Sequence, residues 1–116
     1  MGVQIFGKSK CFYTKKAQRY FKERGVKFQF VDLTQKEMSK GELTSVISAV
    51  GSIENIINYD SKEKDALLLR YLGSDGEKLL KLIENPLLLK TPIVRLGRLA
   101  TVGYCPDVWK NWDLKQ

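Results

Sequence analysis

V-Q-I-F-G-K-S-K-C-F-Y-T-K-K-A-Q-R-Y-F-K-E-R-G-V-K-F-Q-F, residues Val3–Phe30, decides the fold. Its first four residues are a short apolar run that reads as a buried strand. Gly7-Lys8-Ser9-Lys10 reads as a loop. From about Phe12 to Arg24, the residues Ala17, Tyr20, Phe21 and Arg24 fall at i, i+3, i+4, i+7, which is one face of a helix. Gly25 follows as a helix stop, where a left-handed backbone carries no Cβ penalty. Val26, Phe28 and Phe30 then alternate with polar residues, and the apolar character continues to Leu33, as in a strand. Strand, helix, strand over this length predicts two parallel strands joined by a right-handed crossover.

Working outward, residues 39–85 read as a helical block. Three oxygen-bearing caps each precede a glutamate by three residues: Ser39…Glu42, Asp60…Glu63 and Ser74…Glu77. This spacing is that of a capping box. It predicts helices near 39–50, 60–72 and 74–84, ending at Gly51, Gly73 and Asn85, with a short helical turn at Ile53–Ile57. Leu87–Leu96 returns to apolar, extended character. Gly97-Arg98 makes a tight connection to a strand at Leu99–Gly103, and Pro106 starts a last helix carrying Val108, Trp109 and Trp112. The fold class is α/β: one domain spanning 1–116, a four-stranded mixed sheet in the order βαβ…ββα, with a helical insertion at about 39–85 between strands two and three.

Composition bounds the function. The chain has 116 residues, a net charge of +7, two cysteines and no histidine. Without histidine there is no Cys–His catalytic pair, and two cysteines do not fill a four-ligand zinc site, so no metal is expected. The basic residues are dispersed, with no arginine-rich tract, so direct nucleic-acid binding is not expected. No apolar run reaches the roughly 20 residues of a membrane span, and the first residues do not read as a signal peptide. Two free cysteines suit a reducing compartment, and a cytoplasmic location is expected.

Cys11 is the residue with chemistry. It sits between a strand-loop and a helix start, where free N–H groups and the helix dipole favour an anion. Lys8, Lys10, Lys15 and Lys16 add positive field. Both effects favour the thiolate, which is the nucleophile in disulfide exchange. Thr14, three residues on, shares a helix face with Cys11 and offers a hydroxyl and an N–H to the sulfur. A threonine is no resolving thiol, so that thiol comes from glutathione, a protein partner or Cys105. Thr91-Pro92 is the second element: in this strand order a cis-proline beside the thiol is expected. Cys105, just before Pro106, reads either as a half-buried structural cysteine or as a second thiol for Cys11.

These residues resemble the arsenate reductase (ArsC) family and its Spx branch, a thioredoxin-fold group. The cysteine loop and helix C-F-Y-T-K-K-A-Q-R-Y-F-K-E-R-G-V, the element at Pro86, Leu88, Pro92 and Ile93, and the tail L-A-T-V-G-Y-C-P-D carry the resemblance over nearly the whole chain. It implies a thioredoxin-like sheet with Cys11 attacking arsenate or a disulfide, no bound cofactor, and glutathione as a possible co-substrate. For the Spx branch it implies docking on the RNA polymerase alpha subunit through the inserted segment, near Gly51. The chain departs from the family pattern where it matters. Thr91, Tyr104 and Asn58 stand where arsenate reductases of this type place oxyanion-binding arginines, and Thr14 stands where Spx proteins place a second cysteine. The expected activity is therefore that of a monothiol, glutaredoxin-like or ArsC-like oxidoreductase. Cys11 and Thr14 are its catalytic pair, and Lys8, Lys10, Lys15, Thr91, Pro92 and Tyr104 line its substrate side. An Spx-like regulator and a true arsenate reductase are the alternatives.

Overall fold

A computed structural model describes residues 2–112. Four strands, β1 (Val3–Gly7), β2 (Phe28–Asp32), β3 (Ile93–Leu96) and β4 (Leu99–Val102), form one sheet in the order β2-β1-β3-β4. β1 runs parallel to β2, with Ile5 opposite Phe30, and antiparallel to β3, with Ile5 opposite Val94. The mixed sheet and its βαβ…ββα order are those expected from the sequence.

The crossover between β1 and β2 is helix α1 (Phe12–Glu23). Its buried residues are Thr14, Ala17, Tyr20 and Phe21, so the face read from the spacing is the one that packs. Arg24 caps the helix from outside, with its guanidinium 3.7 Å above the Tyr20 ring. Gly25 follows with φ 69°, the left-handed geometry that ends the helix. β2 begins at Phe28 rather than Val26 because the Val26 N–H turns back to the Phe21 carbonyl at 2.9 Å and is lost to the sheet.

Alternation along β1 divides the core in two. Val3 and Ile5 face α1 and the last helix, α5 (Pro106–Trp109), joining Ala17, Tyr20, Phe21 and Trp109. Trp109 is fully buried, and its indole N–H donates to Thr101 Oγ1 at 2.7 Å. Phe6 faces the inserted segment and joins Leu43, Val46, Ile57, Leu69, Leu82 and Ile93.

The insertion consists of α2 (Lys40–Val50), a 3-10 turn at Ile53–Asn55, α3 (Lys64–Leu69) and α4 (Asp75–Glu84). Ser39 and Glu42 form a reciprocal capping box on α2, and the Ser74 hydroxyl accepts from the Glu77 N–H on α4. The middle helix departs from expectation. Asp60 caps nothing: its N–H donates to Asn58 Oδ1, and the Glu63 N–H donates to Ser61 Oγ. These side-chain turns compete with helix, so α3 starts only at Lys64. It closes in i→i−3 bonds at Arg70 and Tyr71. Gly73 is not in the left-handed region and is no helix stop of that kind. The stretch after Asn85 also differs from expectation. Pro86–Leu88 is a 3-10 turn, capped by Asn85 Oδ1 on the Leu87 N–H, and β3 begins only at Ile93. β4 ends at Val102, and the Gly103 N–H donates to the Pro92 carbonyl at 2.7 Å.

Candidate thiol site at the start of the first helix

The chain reaches the site from two directions. β1 ends at Gly7, and a turn closed by the Cys11 N–H on the Lys8 carbonyl, at 2.9 Å, delivers Cys11 as the N-cap of α1. From the other side, the segment before β3 delivers Thr91 and Pro92, and the peptide bond between them is cis. The Thr91 hydroxyl donates to Cys11 Sγ at 3.3 Å.

Cys11 is half-buried and its thiol pKa lies below the ordinary cysteine value. Partial burial alone would push it up. The hydroxyls of Thr14 and Thr91 and the backbone N–H groups of Thr14 and Tyr13 outweigh that burial by donating to the sulfur. The thiolate is therefore held by neutral donors at a helix N-terminus. The lysines that the sequence placed in that role are not among its causes. Lys16 lies 4.5 Å above the Tyr104 ring and 5.5 Å from the Phe12 ring instead.

Thr14 is fully buried, and its Oγ1 meets no acceptor in strict hydrogen-bond geometry among the described residues. A charged Cys11 sulfur is the acceptor this hydroxyl would serve. The hydroxyl has its place because residue 7 is glycine. A Cβ at Gly7 would overlap Thr14 Oγ1 and stand 2.7 Å from Thr14 Cγ2.

Beside Thr91 lies an open cavity of about 590 Å³ lined by Lys8, Asn58, Lys90, Thr91 and Gly103 among others. Lys8 also lines a neighbouring cavity with Lys10. Lys15 borders a different groove, with Arg19 and Lys22. Pro92 is buried. Tyr104 packs edge-on against Trp109, with ring centroids 5.5 Å apart. The structure thus gathers Cys11, Thr14, Thr91 and Pro92 at the sulfur and sets Lys8 on the adjoining cavity. Cys105 sits in the α1-side core, and its thiol donates to the Val102 carbonyl at 3.4 Å. Burial raises its pKa above the usual value, against a weaker lowering by the Thr101 hydroxyl. Both cysteines are free.

Sequence reasoning missed three contributors. Lys90 lines the thiol-side cavity immediately before Thr91, and only the placement of its neighbour would have revealed it. Phe12 and Tyr13 are 65% and 53% exposed on the first turn of α1, so two aromatic rings stand in solvent on the turn that Cys11 caps. Their position right after Cys11, off the buried face, was the available signal.

Comparison with known proteins places this geometry. The chain is 34% identical to the global transcriptional regulator Spx 2 of Oceanobacillus iheyensis, over 98% of this chain and 95% of that one. The chain belongs to the ArsC/Spx family. The glutaredoxin family model matches residues 3–52, which run from β1 through α2. Among solved structures, an ArsC family related protein from Bacteroides fragilis superposes with a TM-score of 0.83 at 21% identity, covering 95% of this chain and 96% of that one. An arsenate reductase from Vibrio cholerae superposes with a TM-score of 0.79 at 22% identity, covering 93% and 94%. These two likenesses establish the thioredoxin-like fold of this ArsC/Spx protein. No helix among the described residues is long and apolar enough to cross a membrane.

Proposed function

We propose that this ArsC/Spx protein performs monothiol thiol–disulfide exchange in the cytoplasm, with Cys11 as nucleophile. The observation that carries the reading is the Thr91 hydroxyl donating to Cys11 Sγ at 3.3 Å at the start of α1, where Thr14 and the N–H groups of Tyr13 and Thr14 also lower the thiol pKa. A half-exposed sulfur with a lowered pKa is the reactive kind of cysteine. In the first step the Cys11 thiolate attacks a mixed disulfide between a protein and glutathione. A bond forms between Cys11 Sγ and the glutathione sulfur, and the protein sulfur leaves as a thiolate that takes a proton from water. In the second step a glutathione thiolate attacks the mixed disulfide on Cys11. Glutathione disulfide leaves, and the Cys11 thiolate returns.

In this reading the backbone beside Pro92 pairs with the extended thiol substrate, as an added strand would. Lys8, joined by Lys90, draws in the glutathione carboxylates; Lys10 and Lys15 contribute long-range attraction, and Tyr104 borders the substrate side. Cys105 stays a second thiol rather than a thiolate, because burial and its own donation to the Val102 carbonyl keep it protonated. The test is reduction of a glutathionylated peptide by wild type and by Cys11→Ser. Activity in wild type that vanishes in the variant is expected. Equal rates in the two would defeat the reading.

A second reading has its own support in the 34% identity to a transcriptional regulator across nearly the whole chain. In it, the protein docks on the RNA polymerase alpha subunit, and the state of Cys11 governs the docking. A pull-down with the alpha C-terminal domain tests it, and no retention in either redox state counts against it. Arsenate reduction ranks below both. Thr91, Tyr104 and Asn58 occupy the positions of the family's arginines, and the lysines on the adjoining cavity lack the planar fork that grips an oxyanion.

A further inference from the structure

We infer a second ligand site, for a phosphorylated small molecule, at the end of the sheet opposite Cys11. Cys11 follows the C-terminal end of β1, whereas this cavity opens at its N-terminal end. It measures about 660 Å³, within the range of small-molecule sites, and shares no lining residue with the thiol-side cavity. Its polar lining is Gln4, Lys27, Gln29, Ser45, Arg95 and Arg98, with no carboxylate.

The strand register builds the floor. Gln29, Gln4 and Arg95 stand side by side across β2, β1 and β3. Gln4 Nε2 donates to Gln29 Oε1 at 3.3 Å, and Arg95 Nη1 donates to Gln4 Oε1 at 2.8 Å. Ser45 comes from α2, Lys27 from the entry to β2, and Arg98 from the turn between β3 and β4.

Arg95 is the unusual member. Its guanidinium is partly buried, its hydrogen-bonded partner is a neutral amide, and its Nε is buried with no acceptor among the described residues. A buried charged donor left unpaired is costly, and natural proteins rarely leave one without purpose. Lys27, Arg95 and Arg98 take part in none of the ion pairs found among the described residues. Three uncompensated cations around one concavity focus a positive potential. The guanidinium groups of Arg95 and Arg98 on the lining are donors of the kind that pair with phosphate oxygens, and the flanking amides and the serine hydroxyl supply neutral donors. The volume exceeds a bare phosphate, so the ligand carries an organic body. The site rests on none of the thiol chemistry.

The probe is inorganic pyrophosphate, titrated by calorimetry and followed by amide shifts, with Cys11→Ser as a second protein. Saturable binding is expected, with shifts at Gln4, Gln29, Arg95 and Gly97, and with the same affinity in Cys11→Ser. Lys27→Gln/Arg98→Gln removes two exposed charges without touching the core, and its affinity is expected to fall at least about tenfold. Arg95→Gln is expected to weaken binding further, with the folded amide spectrum as its control. In a second arm, vesicles of phosphatidylcholine with phosphatidic acid compete with pyrophosphate. Displacement of the protein from them by pyrophosphate would name a lipid headgroup as the source of the phosphate. Absence of saturation, shifts spread over every lysine face, or undiminished affinity in Lys27→Gln/Arg98→Gln would overturn the site.

Discussion

The Thr91 hydroxyl reaches across 80 positions of chain to donate to Cys11 Sγ at 3.3 Å. The side chain that the segment before Pro92 presents to the sulfur is thus a neutral hydroxyl donor, not a cation. The consequence is a thiolate stabilised by short-range dipoles, which salt screens far less than it screens exposed charges. Thr91→Val keeps the shape and removes the donor. Its Cys11 pKa rises, and iodoacetamide alkylation at neutral pH slows by roughly two- to tenfold, since a hydrogen bond to a charged group is among the stronger ones. Alkylation rate against pH, at low and high salt, checks both statements. An unchanged rate would show that the N–H groups of α1 suffice without Thr91.

The same donors couple Cys11 to folding. The folded pKa lies below the unfolded one. Between those two values the unfolded chain holds the extra proton, so stability rises with pH there. The contribution is fully present above the unfolded cysteine value and is lost as pH falls through the folded value. Wild type should therefore gain stability over Cys11→Ser as pH rises from weakly acidic to weakly alkaline. Urea melts of both proteins at a series of pH values measure the difference, and a flat difference would contradict the lowered pKa.

Gly7 keeps the Thr14 hydroxyl in place, and the pair is testable as a unit. Gly7→Ala drives a Cβ into the fully buried Thr14 side chain. Overpacking of this kind costs about 1–3 kcal/mol. For a chain of this size that lowers the Tm by roughly 4 °C for each kcal/mol. It also turns Thr14 away from the sulfur and slows alkylation of Cys11. Adding Thr14→Ala relieves the clash, so the double variant should recover part of the Tm while alkylation stays slow. Additive losses in the double variant would mean that the two residues are not coupled.

Period and punctuation made most of the fold legible. The spacing of Ala17, Tyr20 and Phe21 identified the buried face of α1, and Gly25 its end, because both signals are local. Thr91-Pro92 became readable through its place in the strand order. The electrostatics of the site were legible in sign and in part of their source: the N–H groups at the helix start and the Thr14 hydroxyl act as expected, and the lysines do not. Lysines close in sequence were expected to lower the Cys11 pKa, but the acting donors are two threonine hydroxyls and two N–H groups. Nothing local tells a lysine to turn toward an aromatic ring, as Lys16 does toward Tyr104, and Thr91 is distant in sequence. The Gln29–Gln4–Arg95 row was invisible for a similar reason, since register across three strands is a property of the assembled sheet.

Capping offers the sharpest comparison between pattern and structure, because one sequence signal occurs three times with two outcomes. Ser39 accepts the Glu42 N–H at 3.1 Å, and Glu42 Oε1 accepts the Ser39 N–H at 2.9 Å. Asp60 has the same spacing to Glu63, but its N–H is taken by Asn58 and the Glu63 N–H by Ser61. Ser39→Ala should therefore cost about 1 kcal/mol, the usual loss for an N-cap. Asp60→Ala should stay within about 0.5 kcal/mol, as at an ordinary exposed position. The residue that matters in that turn is Asn58, whose Oδ1 holds the Asp60 N–H and whose own N–H donates to the Leu88 carbonyl at 2.8 Å. Asn58→Ala removes the side-chain acceptor and should cost more than Asp60→Ala. Chemical denaturation of the three variants ranks them. A loss at Asp60 equal to that at Ser39 would mean that residues 60–63 are helical in solution and that Asp60 caps them after all.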